Sequence, residues 1–119
     1  MSELATIAVE RRTTTLIASL AGEIDLTNAD AVAREIGSSV TNDLHRVILD
    51  CTELTFLDST GVRLVLSLAQ RLRTRQQSLI IVVPERSAVR RVLTITRVDS
   101  LAPLALSLAQ ALDGQPLEP

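Results

Sequence analysis

The residues of this chain best suited to chemistry form one short run, Asp58-Ser59-Thr60-Gly61, in which a carboxylate, two hydroxyls and a glycine follow one another. An apolar segment precedes the run and an amphipathic helical pattern follows it, which places the hydroxyls at a helix N-terminus. The free N–H groups and the dipole of a helix N-terminus favour negative charge. A hydroxyl held there can act as a helix cap, a nucleophile or a phosphorylation site, and on the motif alone capping is the commoner use.

The elements that position this run follow from the spacing of apolar residues, which predicts the order ββαβαβα(β)α. The predicted strands are 5–9, 15–21 (ended by Gly22), 47–50 and 79–83, with a short fifth at 98–101. The predicted helices are a first with an apolar stripe from Leu26 to Val40, a second from near Thr60 to Arg75, and two more at 87–95 and 104–112, the last closed by Gly114. Strands alternating with helices predict an α/β fold, with a mostly parallel mixed sheet of four to five strands and about four helices.

Composition limits the class of protein. The chain has 119 residues, of which 46% are apolar, so we expect one folded domain over 1–119, with its core at 5–113 and a flexible tail at 114–119. The net charge of −2 provides no general attraction to nucleic acid or to anionic membranes. The lone aromatic residue, Phe56, leaves no stacking platform for single-stranded nucleic acid.

Cysteine and histidine are equally sparse, and this argues against a metal or another cofactor. Cys51 is the single cysteine, which excludes an internal disulfide, and we expect an inert buried thiol. His45 is the single histidine and is expected to be exposed. The N-terminus lacks the pattern of a signal peptide, and no apolar run approaches the roughly 20 residues of a membrane span. We therefore expect a cytoplasmic protein.

Two polar segments follow neighbouring predicted strands. Glu23, Asp25 and Asn28 come after the 15–21 strand, and the Asp58 run comes after the 47–50 strand. Because ligands and partners meet an α/β sheet at the carboxyl ends of its strands, we expect these segments to converge at one edge. The alternative for the first segment is structural: Asp25 or Thr27 would cap the helix, and Asn28 would simply be solvated.

Three stretches of the chain resemble a known family. They are Gly22-Glu23-Ile24-Asp25, Val47-Ile48-Leu49-Asp50 and Phe56-Leu57-Asp58-Ser59-Thr60-Gly61, and the segment from Leu79 to Val92 is similar as well. Together they resemble the bacterial anti-sigma-factor antagonists of the STAS-domain family, over about residues 5–113. Arg63 and Arg97 depart from the pattern, since members commonly have glycine at both positions.

The resemblance implies a regulatory protein rather than an enzyme. It implies that Ser59 is phosphorylated by an anti-sigma factor that is an ATP-dependent serine kinase. The unphosphorylated antagonist would bind that kinase and release the sigma factor, and a serine phosphatase would reset the switch. It implies a monomer or weak dimer with no catalytic residue. The residues it implies at the partner surface are Glu23, Asp25, Asn28, Asp58, Thr60, Gly61 and Arg63.

Two other functions remain open at this point. In an enzyme, Ser59 would be the nucleophile, but the chain has no Gly-x-Ser-x-Gly elbow, no Gly-rich phosphate loop, and no obvious acid to orient His45. The second of these functions is a STAS-like scaffold subunit of a larger sensory assembly, or a small nucleotide- or lipid-binding version of the fold.

Overall fold

The computed structural model describes residues 5–113, which form one five-stranded sheet in the order β1-β2-β3-β4-β5. Strand β1 pairs antiparallel with β2, and every later pair is parallel. The strands are β1 (Ala5–Arg12), β2 (Thr15–Ile24), β3 (Arg46–Leu57), β4 (Ser78–Val82) and β5 (Leu104–Ala105). The α-helices are α1 (Ala29–Ser39), α2 (Ser59–Thr74), α3 (Ala88–Ile95) and α4 (Leu108–Leu112). This confirms the predicted α/β fold.

The core lies on both faces of the sheet, which explains the continuous apolar runs in β3 and β4. Helices α1, α2 and α3 bury Val32, Leu72 and Leu93 against one face. Helix α4 buries Ala111 against the other, where Ile48 is the central sheet residue. Helices α2 and α3 begin after the carboxyl ends of two parallel strands, β3 and β4 respectively.

The predicted end of β2 at Gly22 is wrong. The strand continues to Ile24, and Gly22 adopts a φ of 93°, which side-chain-bearing residues rarely take. The pairing of β2 with β3 shifts register between Ser19 and Ala21 and again between Gly22 and Glu23. Gly22 therefore permits an irregular backbone within β2 and does not mark the end of the strand. The polar segment after β2 is shorter than expected, because the strand ends at Ile24.

The predicted end of β3 near Asp50 is also wrong, because the strand runs to Leu57 and meets α2 directly. Near the carboxyl end of the chain, the predicted strand at 98–101 is a short 3₁₀ helix, Val98–Ser100. The predicted helix at 104–112 divides into β5 and α4, since Leu104 pairs with Ile81 at the sheet edge. Gly114 and the tail at 114–119 lie outside the described residues.

Arg97, one of the two departures from the family pattern, has a φ of 64°, in the left-handed region that favours glycine. An arginine therefore holds a glycine-type backbone conformation at the turn after α3. Within residues 5–113, no helix is long and apolar enough to cross a membrane.

Candidate functional site

Asp58 organises the junction between β3 and α2. It is the N-cap of α2, and its carboxylate accepts hydrogen bonds from the backbone N–H groups of Thr60 (2.9 Å) and Gly61 (3.1 Å). The Thr60 hydroxyl donates to the same oxygen. The Thr60 hydroxyl, with help from these backbone donors and that of Leu26, holds the pKa of Asp58 below its usual value, against the opposing effect of desolvation. Asp58 is therefore a charged cap at neutral pH.

Asn28 performs a similar role in the loop between β2 and α1. Its side-chain oxygen accepts from the N–H of Asp25 (3.0 Å), and its amide nitrogen donates to the carbonyl of Glu23 (2.9 Å). The residue is only 1% exposed, so the interpretation of Asn28 as a solvated polar residue is wrong. Its side chain therefore ties the end of β2 at Glu23 to Asp25 in the loop that follows.

Asp25 also makes hydrogen bonds within this loop. Its carboxylate accepts from the N–H (2.9 Å) and the hydroxyl of Thr27, and its carbonyl accepts from the N–H of Ala29. Thr27 does not cap α1: the N-cap position belongs to Asn28, which makes no side-chain capping bond. Asp25 is half-buried and Glu23 is exposed, so both contribute negative charge at this edge.

The two polar segments converge, as the topology predicts. The N–H of Leu26 donates to the second carboxylate oxygen of Asp58 (3.2 Å), and the N–H of Asp58 donates to the carbonyl of Ile24 (3.2 Å). A single carboxylate thus caps α2 and fixes the loop before α1. The resulting surface is acidic at its centre, with Asp58 flanked by Asp25 and Glu23.

Ser59 is the first residue of α2 and is exposed. Its hydroxyl makes no hydrogen bond to another residue of the 5–113 segment, whereas the Thr60 hydroxyl donates its proton to Asp58. The neighbouring hydroxyls therefore differ in availability, because Asp58 has taken the capping role and engages Thr60 in it. Ser59 is the more accessible of the two.

Gly61 lets the start of α2 approach the sheet. It is buried, and a Cβ placed there would lie 2.9 Å from Leu57 Cγ and 3.2 Å from Ile24 Cγ2. Its structural role is close packing between α2 and the ends of β2 and β3. Arg63, one turn after Ser59, is exposed.

Two exposed apolar side chains lie at this surface that the sequence did not predict there. Leu26 is 77% exposed and Phe56 is 47% exposed, beside the acidic residues. Leu26 belonged to the predicted apolar stripe of the first helix, but α1 starts only at Ala29, which leaves it in the loop. The signal available for Phe56 was that the chain's sole aromatic residue stands two positions before Asp58.

The remaining candidates lie elsewhere. His45 is exposed and directly precedes β3, whereas Ser59 follows the far end of that strand, so the two cannot form a nucleophile–base pair. Cys51 is buried, which raises the pKa of its thiol to about 12 and leaves it unreactive. The described part of the chain contains no group of three acidic, histidine or cysteine residues placed to hold a metal.

Comparison with known proteins identifies the class. The STAS domain model matches residues 6–111, and the chain belongs to this family. A curated relative, "Putative anti-sigma factor antagonist BtrV" of Bordetella bronchiseptica, is 35% identical over 92 residues, which cover 77% of this chain and 78% of that protein.

Solved structures agree on the fold. An anti-sigma factor antagonist from Mycobacterium paratuberculosis has a TM-score of 0.82 at 27% identity, over 92% of each chain. SpoIIAA in its unphosphorylated form has a TM-score of 0.75 at 24% identity, covering 91% of this chain and 94% of that one. The Bacillus protein has also been solved in its phosphorylated form, with a TM-score of 0.70 at 23% identity, covering 91% of this chain and 97% of that one.

Proposed function

We propose that this protein is an anti-sigma factor antagonist that works by partner switching. Its unphosphorylated form binds an anti-sigma factor of the serine-kinase type and so releases a sigma factor. The kinase phosphorylates Ser59, binding ends, and a serine phosphatase restores the first state. The surface formed by Glu23, Asp25, Leu26, Phe56 and the start of α2 is the docking site.

One observation carries the proposal: Ser59 is exposed at the first position of α2 while Asp58 does the capping. A serine that capped the helix would have its oxygen committed to backbone N–H groups, and modification would disturb the fold. Here the N–H groups of Thr60 and Gly61 already bond to Asp58. A phosphoryl group on Ser59 would therefore leave the cap of α2 in place and add its charge to the exposed surface.

The charge of the surface explains how phosphorylation would end binding. A phosphoryl group adds about −1.5 to −2 charge at pH 7. It would join Asp58, Asp25 and Glu23, and a complex formed across this surface would have to desolvate the added charge. A loss of about 3 kcal/mol in binding free energy corresponds to more than a hundredfold weaker affinity. The antagonist need not refold for this, because the dipole of α2 favours negative charge at its start.

The two exposed apolar residues supply attraction in the unphosphorylated state. Interfaces commonly place a few apolar or aromatic anchors at their centre, with polar residues around them. Leu26 and Phe56 fit this arrangement, since both belong to the segments that Asp58 holds together. The Bacillus relative SpoIIAA was solved in both its unphosphorylated and its phosphorylated form, and this supports a role for phosphorylation here.

The proposal is tested by incubating the protein with candidate anti-sigma kinases from its own organism and Mg-ATP, and mapping phosphate by mass spectrometry. We expect one phosphate, on Ser59, and loss of the complex once it is added. Ser59→Ala should bind without being modified, and Thr60→Ala should still accept phosphate at Ser59. Turnover of ester or phosphoester substrates that Ser59→Ala abolishes would contradict the proposal and favour an enzyme.

A further inference from the structure

A groove of about 440 Å³ runs between α1 and α2, starting beside the docking site. We propose that it holds a segment of the anti-sigma factor that carries two acidic side chains about 12 Å apart, with apolar residues between them. The inference rests on the proposed function and deepens it, since it specifies the chemistry of the partner.

The shape of the groove comes from small and apolar residues. Its α1 side is lined by residues of the helix and of the loop before it, namely Leu26, Ala29, Ala33 and Ile36. Its α2 side is lined by Leu64 and Leu68. At the far end Gly37 allows the Arg71 guanidinium to cross towards α1, since a Cβ on Gly37 would lie 3.0 Å from that group. The floor is suited to apolar side chains of a partner.

The charge of the groove comes from one row of residues on α2. Ser59, Arg63, Ser67 and Arg71 stand four residues apart, so they lie along one face of the helix, and all four are exposed. Arg63 and Arg71 are eight residues apart, which is about 12 Å along a helix. Neither forms an ion pair with any residue of the described range.

The rest of α2 reinforces this charge. The helix, Ser59–Thr74, carries three arginines and no acidic residue. Asp30 is the one acidic residue of the groove lining, opposed by two arginines. Charge complementarity therefore favours an acidic partner here, next to the acidic docking site around Asp58. Adjacent surfaces of opposite sign would also fix the orientation of the partner.

The test measures affinity for the anti-sigma factor with Arg71→Glu, and with Arg73→Glu as the matched control. Both arginines are exposed in the last turns of α2, but only Arg71 lines the groove. Arg71 lies twelve residues from Ser59, about 18 Å along the helix. We expect Arg71→Glu to weaken binding about tenfold at low salt and less at high salt, with Arg73→Glu changing it less than about twofold.

Hydrogen exchange in the complex provides a second readout. Amides of residues 29–37 and 64–71 should gain protection, in addition to those around Ser59. Equal affinities for the two glutamate variants, with protection confined to the Ser59 region, would overturn the inference. A bound small molecule in native mass spectra that Arg71→Glu removes, or a dimer that it dissociates, would also overturn it by assigning the groove to another occupant.

The two proposals fail separately. If Ser59 phosphorylation ends binding while Arg71→Glu behaves like Arg73→Glu, the proposed function stands and the groove inference falls. If Arg71→Glu weakens a complex that Ser59 phosphorylation leaves intact, the groove inference stands and the phosphorylation switch falls.

Discussion

Two strand-to-helix junctions of the same sheet use serine in opposite ways. Where β4 leads to α3, Ser87 is itself the N-cap, and its hydroxyl oxygen accepts from the N–H groups of Val89 (3.0 Å) and Arg90 (3.4 Å). Where β3 leads to α2, the aspartate is the cap and Ser59 follows it, exposed. The serine at the N-cap has its hydroxyl committed to the backbone, whereas the serine one position after an aspartate cap has its hydroxyl available.

The third helical position sharpens the contrast. In α3 it is Arg90, whose guanidinium donates to the carbonyl of Val83 (3.1 Å) and closes the junction. In α2 it is Gly61, which packs against Leu57 and Ile24. At the α3 junction, the side chains of Ser87 and Arg90 bond to backbone groups of the same junction. At the α2 junction, Asp58 also bonds to Leu26 and so connects the start of α2 to the β2–α1 loop.

The largest expected difference between the junctions is in binding. Ser59→Asp and Ser87→Asp add the same charge at the start of two helices, and aspartate is a competent cap at position 87. We expect Ser59→Asp to weaken binding to the anti-sigma factor more than about a hundredfold, through repulsion at the interface. Ser87→Asp should bind like the wild type. Titration calorimetry measures the affinity of both variants. Equal losses of affinity would show that a negative charge at the start of α2 has no special effect on binding.

The next largest effect concerns close packing at Gly61. Gly61→Ala should lower the free energy of unfolding by about 1–3 kcal/mol, because the added methyl group overlaps Leu57. Gly37→Ala is the control within α1, where the nearest atom belongs to the flexible end of Arg71. It should be neutral or stabilising by up to about 1 kcal/mol, since alanine favours helix. Urea unfolding measures both, and comparable values would contradict the packing role of Gly61.

Loss of the caps comes third. Asp58→Ala and Ser87→Ala should each destabilise the protein by about 1 kcal/mol, the usual cost of removing a capping side chain. Only Asp58→Ala should also weaken partner binding, because Leu26 loses its hydrogen bond to the carboxylate. Affinity and unfolding measured on the same samples separate the effects. Weakened binding in Ser87→Ala would indicate that the two junctions do not act independently.

The charge of Asp58 predicts a smaller, pH-dependent effect. Because hydrogen bonding lowers the pKa of Asp58 in the folded protein, its ionised form stabilises the fold above the unfolded value of 3.8. That stabilisation is lost as the pH falls through the lower folded value. The stability difference between wild type and Asp58→Asn should therefore be constant from pH 5 to 7 and shrink below about pH 4.

Asp43 does not obscure this comparison. The Arg11 side chain lowers the pKa of Asp43 to about 2, with help from Thr41, so this carboxylate also titrates in acid. Its contribution is common to wild type and Asp58→Asn and cancels in the difference. A difference that grows towards low pH would contradict the proposed role of Asp58.

Regular periodicity explains what the sequence could predict. The apolar runs of β3 and β4 and the stripe of α2 are regular, and the order of elements up to α3 is confirmed. The second half of β3 escaped prediction because its buried residues, Cys51, Leu54 and Leu57, recur every three positions rather than every two. Register shifts against β2 disrupt the usual alternation there. The two-residue strand β5 is too short to leave a pattern.

The site was predictable in its residue types but not in its hydrogen bonding. Sequence placed Asp58, Ser59 and Thr60 at a helix start, and left open which of them caps it. That depends on backbone geometry, which also decides that Asn28 is buried and Leu26 exposed. The partner roles of Glu23, Asp25 and Arg63 stay predictions until a complex is measured.

The phosphorylation switch is tested most directly by comparing the protein before and after quantitative phosphorylation of Ser59, with affinity for the anti-sigma factor and melting temperature measured on the same samples. We predict that affinity falls more than about a hundredfold while the melting temperature barely changes, because Asp58 continues to cap α2. Unchanged affinity would contradict it. So would a large fall in melting temperature, since binding would then be lost through damage to the fold.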